Sequence, residues 1–480
     1  MGESNEKSGS SSLLHIDYLI VGTGPAGGSL AAFMASYDIL TYFLIKGEYE
    51  LASPSEMMDL PQTLLEPLLT RYATLNGFKC RFDTELVTFE QDENGVTTTL
   101  LDKLSKTVFQ VRSKYLFGAD GARSKIVQQA QIPMIRRPSQ GFAVNLLFQA
   151  DLSHLMETRK GNLHCILQPD RENPEWAVLG IIRMVKPWHE WLCILFPAPD
   201  APREIRSDEE YLQRIRELIG DDSVKVKLLS VSTWAINETV AEYYSKGNVA
   251  STSWTATGYS WIRANQSLRN QRSLWETLGI TEPTLEARLK VQNEISADSP
   301  EGRARRERLS KVFRTIDVEE HGLGMEMNQR YVSSATYQAD QGEMPAFTRD
   351  RVRYYQPTTY PGARLPHAWL GNHIPSKYIS TIDLAGKGQF TLFTGIGGQH
   401  WKKAAEQLSS ELGIPIKAYS IGYAQDYKDI YLDWEGIRGV DESGCVLVRP
   451  DYFVAWRSQK WEEDSPSKLK KALKSVLSLH

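Results

Sequence analysis

The pattern of apolar and polar positions divides the chain into segments of different character. A short β-branched apolar run, Asp17–Val21, precedes a glycine-rich turn, an apolar helical stretch and a second apolar run at 41–45. This order is typical of strand, turn, helix and strand. Another apolar run, Lys114–Phe117, leads directly into a second glycine-containing segment. The N-terminal part is therefore predicted to be an α/β domain.

Three later segments follow other patterns. From Gly141, closely spaced strand-like runs such as GFAVNLLFQADL and WLCILFPAP are separated by polar or proline-containing turns. Such spacing predicts an antiparallel sheet that is inserted as a second domain. Charged residues with Leu and Val at helical intervals over 282–320 predict two surface helices. From Ser380, the order strand, helix, strand, strand predicts a separate α/β module.

Composition narrows the class of function. The 480 residues suffice for about three domains, and a net charge of −4 gives no general attraction to nucleic acid or to anionic membranes. No apolar run approaches the roughly 18 residues that span a bilayer, and the polar residues 1–12 indicate a flexible tail rather than a signal peptide. The four cysteines form no CxxC pair, so we expect no metal site and no disulfide scaffold. A cytoplasmic protein that acts on a small molecule is predicted.

The first glycine-rich turn has the spacing of a dinucleotide-binding loop. Gly22-Thr23-Gly24-Pro25-Ala26-Gly27 follows a predicted strand and opens a predicted helix, where a pyrophosphate would sit on the helix N-terminus. A glycine turn that only packs helix against strand is the alternative. The acidic residue expected about twenty positions later is replaced by Ile45-Lys46-Gly47, so ribose recognition is unassigned. The candidate cofactor-binding residues here are Gly22, Gly24, Pro25, Ala26 and Gly27.

A second motif separates FAD from NAD. Gly118-Ala119-Asp120-Gly121-Ala122-Arg123-Ser124 resembles the Asp-Gly motif of single-component flavin hydroxylases. The phrases VGTGPAGGSLA, DLPQTLLEP, GMEMNQRY and YPGARLPHAWL look like the phenol and dichlorophenol monooxygenase family, over nearly the whole chain. The resemblance implies that Asp120, Gly121 and Arg123 contact the flavin ribose and pyrophosphate and help to receive NADPH (or NADH). It also implies that Gln62 lies at the start of a helix near the ribityl chain.

The resemblance implies an α/β fold: a Rossmann-like FAD-binding domain with an inserted, mostly antiparallel substrate domain, and a thioredoxin-like C-terminal domain. That last domain lacks the redox CxxC, as this sequence does, and its implied role is structural, in the subunit contacts of a homodimer. The predicted segments are a disordered tail (1–14), the first part of the FAD-binding domain (15–140), the substrate-binding sheet (141–237), the shortened remainder of the FAD-binding domain with a helical segment (238–370) and the thioredoxin-like domain (375–480).

The implied activity is hydroxylation of a phenolic small molecule with FAD, NADPH (or NADH) and molecular oxygen, either in detoxification or in secondary metabolism. The substrate would lie between the flavin and the inserted sheet, so His164, Arg183 and Met184 are candidates for the pocket wall. A histidine or methionine on a sheet is also a common core residue, and Arg183 has the alternative of pairing with a buried carboxylate. No catalytic residue is assigned.

Two departures from the family leave other functions open. TYFLIK runs almost directly into GEYELASP, where the family has a long stretch of flavin- and substrate-facing residues. After Gly247-Asn248-Val249, the family's Gly-Asp-Ala phrase and the glycine-rich turn beyond it are replaced by ASTSWTATGYSW. Part of one active-site wall is therefore predicted to be missing. One alternative is a catalytically impaired homologue that binds or dimerises. The other is an NAD-dependent dehydrogenase, for which no acid–base constellation is found.

Overall fold

The computed structural model describes residues 13–21, 49–55, 60–136, 141–157, 163–198, 201–202, 204–235, 239–251, 272–320, 323–373 and 377–479. The chain divides into two compact units, the first drawn from 1–26 and 83–320 and the second from 27–82 and 321–480. The described strands are β1 (Leu14–Val21), β2 (Thr84–Asp92), β3 (Gly95–Asp102), β4 (Val108–Gly118), β5 (Met134–Arg136), β6 (Phe142–Gln149), β7 (Leu163–Ile166), β8 (Leu179–Lys186), β9 (Glu190–Phe196), β10 (Lys227–Ala235), β11 (Thr239–Ala241), β12 (Ser245–Lys246), β13 (Val249–Ser251), β14 (Trp369–Gly371), β15 (Ile379–Ser380), β16 (Phe390–Thr394), β17 (Ile416–Ser420), β18 (Lys428–Asp429), β19 (Cys445–Val448) and β20 (Val454–Ser458). The described helices are α1 (Tyr49–Ala52), α2 (Gln62–Leu75), α3 (Lys125–Ala130), α4 (Ser153–Met156), α5 (Asp208–Ile219), α6 (Leu285–Ser296), α7 (Pro300–Glu320), α8 (Leu323–Met327), α9 (Thr381–Leu384), α10 (Gln399–Leu412), α11 (Asp433–Ile437) and α12 (Ser465–Val476).

The first sheet of the first unit is mixed. β4 runs parallel to β1 and to β13, and antiparallel to β3, which pairs in turn with β2. Its core contains the fully buried Leu116, Val249 and Ile126. Gly118 allows α3 to approach the sheet, because a Cβ on this residue would lie 2.9 Å from Cγ2 of Ile126. The predicted strand at 114–117 is thus the end of a longer strand, β4.

The second sheet of this unit has the order β10-β6-β9-β8-β7, and each neighbouring pair is antiparallel. The predicted inserted antiparallel sheet is confirmed. Burial alternates along β9, so one face of the sheet is covered and the other is half-exposed. The covered face packs Leu146, Phe148 and Trp191 against α5. Burial in this core raises the pKa of the Cys193 thiol to about 12, so the cysteine is a neutral core residue.

Helix α5 has clear start and stop signals. Ser207 accepts a hydrogen bond from the backbone N–H of Glu210, and Glu210 accepts one from the N–H of Ser207, which completes a capping box. Gly220 ends the helix in the left-handed conformation at φ +72°. The helix packs closely because Gly180 on β8 has no side chain: a Cβ there would lie 2.4 Å from Cδ1 of Leu218.

The two helices predicted within 282–320 are α6 and α7. Thr284 caps α6, since its hydroxyl accepts the N–H of Ala287 at 3.2 Å. Arg306 on α7 donates to the carbonyls of Ile295 and Ala297, at 2.6 and 2.9 Å, and satisfies the last turn of α6. Arg306 of this charged stretch thus stabilises the contact between the two helices.

The second unit contains a four-stranded sheet in the order β17-β16-β19-β20. β16 and β17 are parallel and joined by α10, whereas β19 pairs antiparallel with β16 and with β20, and α12 follows. This βαβ and ββα arrangement agrees with the predicted order of strand, helix, strand and strand, and has thioredoxin-like connectivity. Its core holds the fully buried Trp401, Trp456 and Leu469.

Residues upstream of this sheet belong to the same unit. The N–H of Gly362 donates to the carbonyl of Val454, and the N–H of Val454 donates to the carbonyl of Ala363, both at 2.8 Å. These bonds cover the outer edge of β20, which would otherwise be an open sheet edge. The division between units falls after residue 320, rather than near 370–375. The domain boundaries given above stay a prediction.

Candidate functional site

The carboxyl ends of three parallel strands meet at one edge of the first sheet. Val21 at the end of β1 lies opposite Gly118 at the end of β4, and Gly118 lies opposite Ser251 at the end of β13. The N–H of Ala119 donates to the carbonyl of Val21 at 2.7 Å. Ligands of α/β sheets bind outside the carboxyl ends of the strands. We call this place the carboxyl edge.

Both glycine-containing segments of the sequence leave the sheet at the carboxyl edge. The first follows Val21 immediately, and its candidate residues Gly22, Gly24, Pro25, Ala26 and Gly27 lie outside the described residues. The second follows Gly118 and is described. The structure therefore brings Val21, which directly precedes the first motif, next to Gly118, which opens the second, although 97 positions separate these two residues in the chain.

Asp120 holds the first turn of α3. Its Oδ1 accepts the hydroxyl of Ser124 at 2.6 Å, and its Oδ2 accepts the N–H groups of Lys125 and Ile126, at 2.7 and 3.3 Å. Ser124 is the N-cap, and its Oγ accepts the N–H of Val127 at 3.0 Å. The carboxylate thus satisfies helix N–H groups that would otherwise lack a partner. A direct contact between Asp120 and flavin stays a prediction.

Gly121 and Arg123 have the properties that a phosphate-bearing cofactor requires. Gly121 adopts φ +77°, a conformation that favours glycine, and no described atom apart from its chain neighbours lies within 4 Å of where a Cβ would be. Arg123 is exposed, and its guanidinium has no hydrogen-bond or ion-pair partner within the described parts of the chain. An open backbone next to a free cation fits a pyrophosphate at the carboxyl edge.

Gln62 lies in the other unit. It is the first residue of α2, as the resemblance implied, and it is exposed. Its Nε2 donates to Oε1 of Glu66, one turn later, at 2.6 Å. Its proposed part in binding the ribityl chain stays a prediction.

The three candidate wall residues do not share one face of the second sheet. His164 lies opposite Ile182 and Met184 lies opposite Trp191, so both point to the face that α5 covers. Nε2 of His164 is buried and has no hydrogen-bond partner within the described residues. Met184 is partly buried against this core, and contact of His164 and Met184 with substrate stays a prediction.

Arg183 lies on the opposite, half-exposed face, which we call the open face. It pairs with Leu163 on β7 and with Leu192 on β9. Contact of Arg183 with substrate stays a prediction.

Sequence reasoning missed most of the open face. The period of two along each strand groups the residues of β6 and β9 into two faces, but it does not say which face packs in the core. Trp234 on β10 is 43% exposed on this face, and its Nε1 donates to Oδ1 of Asn145 at 3.0 Å. The other half-buried or exposed residues of this face include Leu147, Ile181, Leu192, Ile194, Ser230 and Ser232.

Three further features of the described residues concern metal ions, membranes and cavities. No group of three or more His, Cys, Asp or Glu residues able to hold a metal ion occurs among them. None of their helices is long and apolar enough to cross a membrane. The second unit has an open polar cavity of about 690 Å³ lined by Ile396, Arg438, Asp441, Ser443, Gln459 and their neighbours.

Comparison with known proteins assigns the family. Residues 35–250 match the family described as FAD binding domain, and residues 358–478 match the aromatic-ring hydroxylase C-terminal family. The chain is 34% identical to 2,4-dichlorophenol 6-monooxygenase of Delftia acidovorans, over 91% of this chain and 82% of that protein. It is 35% identical to phenol 2-monooxygenase of a Pseudomonas species, over 88% of this chain and 76% of that protein.

The chain belongs to the FAD-dependent aromatic-ring monooxygenases. The resemblance read from the motifs is confirmed, as are FAD as the cofactor and aromatic hydroxylation as the class of function. The alternative of an NAD-dependent dehydrogenase is not supported.

Solved structures agree with this assignment. The flavin-dependent monooxygenase PieE, in complex with FAD and substrate, superimposes with a TM-score of 0.87 at 29% identity, over 97% of this chain and 100% of that chain. A ternary complex of aklavinone-11 hydroxylase with FAD and aklavinone gives a TM-score of 0.70 at 23% identity, over 96% of this chain and 99% of that chain. This likeness supports the fold. The predicted α/β fold class is confirmed.

Proposed function

We propose that this chain hydroxylates a small phenolic molecule whose ring lies on the open face of the second sheet. The observation that carries the proposal is the open face itself, where half-buried Leu147, Leu192 and Ile194 are bordered by the Trp234–Asn145 pair. In the reaction, one atom of O₂ enters the ring and the other leaves as water. NADPH (or NADH) and a proton supply the two electrons and the hydrogen.

FAD, when bound, would supply the redox and oxygen chemistry, and the protein would bind and orient it. The carboxyl edge would hold its pyrophosphate, with Gly22 to Gly27 and Gly121 allowing the close approach of backbone. The exposed Arg123 would neutralise a phosphate, and Asp120 would fix the segment through the first turn of α3. Gln62 would contact the ribityl chain.

The open face would supply binding rather than acid–base chemistry. Its aliphatic side chains exclude water from the ring, which protects the oxygen transfer from side reactions. Arg183 is a cation on this face and would orient the phenolic oxygen by a charge-assisted hydrogen bond. A plain aliphatic alcohol would lack the electron-rich ring that this chemistry needs.

Two broader features belong to the proposal. The four cysteines Cys80, Cys165, Cys193 and Cys445 form no disulfide, which supports a reducing compartment such as the cytoplasm. We propose that the protein works as a homodimer with the thioredoxin-like part in its subunit contacts. Its substrate would belong to secondary metabolism or to detoxification.

A catalytically impaired homologue is the second candidate, because the sequence departs from the family after Ile45 and after Val249. The purified chain should be examined by visible absorption before and after addition of FAD. NADPH and O₂ consumption should then be followed with and without phenol, and the product analysed after reaction in isotopically labelled O₂.

A stoichiometric flavin band, phenol-stimulated consumption and one labelled oxygen in the product would support hydroxylation. Flavin binding with no labelled product would instead support the second candidate, a catalytically impaired homologue. A folded chain that takes up no FAD would contradict the proposed function altogether.

A further inference from the structure

Trp234 occupies an unusual position on the open face. It belongs to the edge strand β10, where it lies opposite Ala143 of β6, while Asn145 lies opposite Ser232. The indole reaches diagonally across the strand pair to Asn145, a distance that large side chains can span. The small side chains of Ala143 and Ser232 leave room for it to do so.

The indole is oriented but not buried. Its Nε1 donates to Oδ1 of Asn145 at 3.0 Å, yet 43% of Trp234 is exposed. A tryptophan usually satisfies its N–H when it is buried, whereas here the bond is formed at an exposed position. The bond restricts the side-chain torsions, so less conformational entropy remains to be lost when a ligand contacts the ring.

The surroundings favour an aromatic ligand next to the indole. Leu147 follows Asn145 two positions along the same face of β6, and Ile194 lies opposite Asn145 on β9. A flat ring that lies on these aliphatic side chains would contact the indole at the side of the open face. Aromatic pairs prefer offset or edge-to-face geometry, and they add stabilisation beyond the area that they bury.

We propose that Trp234 is a specificity-determining residue that selects aromatic over aliphatic ligands, and that Asn145 is the positioning residue that holds its indole. The inference rests on the proposed function, because it takes the open face as the substrate platform. Asn145 affects the choice of ligand only by holding the indole of Trp234.

The test measures ligand binding and not only turnover. The FAD-loaded chain is titrated calorimetrically with phenol, 1-naphthol and, as the matched non-aromatic probe, cyclohexanol. W234L should weaken binding of both aromatic probes by about 3- to 10-fold and leave cyclohexanol within about 2-fold. N145L should reduce the same aromatic preference by a smaller factor, and N145Q, which keeps an acceptor, should restore part of it.

Trp188 provides the matched control. It is 42% exposed, and it lies in the turn between β8 and β9 rather than on the open face. W188L should leave the ratio of phenol to cyclohexanol affinity unchanged. Loss of folding would weaken the binding of all three probes together and lower the flavin content. The ratio of phenol to cyclohexanol affinity therefore separates an effect on specificity from an effect on stability.

The outcomes also separate this inference from the proposed function. If the chain prefers aromatic probes through Trp234 but shows no phenol-stimulated NADPH consumption, the inference is retained and the proposed function is contradicted. If the chain hydroxylates phenol but W234L keeps an unchanged preference for aromatic probes, the proposed function is retained and the inference is overturned. A FAD-loaded chain that binds none of the probes would overturn it as well.

Discussion

The hydroxyl of Ser124 donates to Oδ1 of Asp120 over 2.6 Å, and this bond ties the Asp-Gly segment to the start of α3. Asp120→Ala removes the acceptor of Ser124 and of two backbone N–H groups. We expect the free energy of unfolding to fall by about 1–2 kcal/mol, as for the loss of other helix caps. Urea denaturation measures the loss of unfolding free energy, and titration with FAD measures the effect on FAD binding. Asp120→Asn, which keeps one oxygen acceptor, should lose less stability, and an equal loss in both variants would contradict a capping role.

Gly121 and Gly220 form a matched pair. Both have a positive φ, +77° and +72°, and at both positions a Cβ would meet no atom within 4 Å. Each change to alanine should therefore cost about 1–2 kcal/mol of unfolding free energy through backbone conformation alone. Only Gly121 lies at the carboxyl edge, so Gly121→Ala should also weaken FAD binding, measured by flavin absorbance. Equal FAD affinity in the two variants would argue against a cofactor contact at Gly121.

Arg214 is a buried cation that ion-pairs with Glu217 on its own helix at 3.0 Å and also reaches the segment between β7 and β8. Its guanidinium donates to Oδ1 of Asn173 at 2.9 Å, to the carbonyl of Ala177 at 3.0 Å and to Oε1 of Gln168 at 3.2 Å. Arg214→Met would leave these buried and half-buried acceptors without a donor, at a cost of about 2–4 kcal/mol in unfolding free energy. Arg216→Met, at an exposed position on the same helix, should change stability by less than about 0.5 kcal/mol. Thermal and urea unfolding would compare the two, and similar losses would refute the structural role.

His367 should make stability depend on pH. The side chain is 5% exposed, its Nδ1 lies 2.7 Å from Oγ of Ser380, and burial lowers the pKa of the imidazole from 6.5 to about 4. Below pH 6.5 the unfolded chain binds a proton that the folded chain does not, so the stability contributed by neutral His367 is present above pH 6.5 and lost progressively towards pH 4. His367→Gln removes the titration and can keep the bond to Ser380. The difference in unfolding free energy, wild type minus variant, should fall by about 2–3 kcal/mol from pH 7 to pH 4. Parallel pH profiles from urea denaturation would contradict the prediction.

The sequence by itself determined the features that depend on local chemistry. The periods of strands and helices and a glycine turn after a strand depend on neighbouring residues, so the antiparallel sheet and a dinucleotide-binding loop could be predicted from them. The family and FAD were implied by the resemblance of the motifs to known flavin hydroxylases. The Ser207 to Gly220 helix is an example, since its cap, its stop and its apolar positions lie within one short segment.

Only the tertiary structure decided which side chains share a surface. His164, Arg183 and Met184 are close in the sheet, yet the register of β7, β8 and β9 sends Arg183 to the face opposite the other two. Trp234 and Asn145 are 89 positions apart, and the pairing of β10 with β6 brings them within hydrogen-bond distance. The period of two shows that a strand has two faces, but α5 decides which one is buried. That choice arises from packing between distant segments, and no local pattern encodes it.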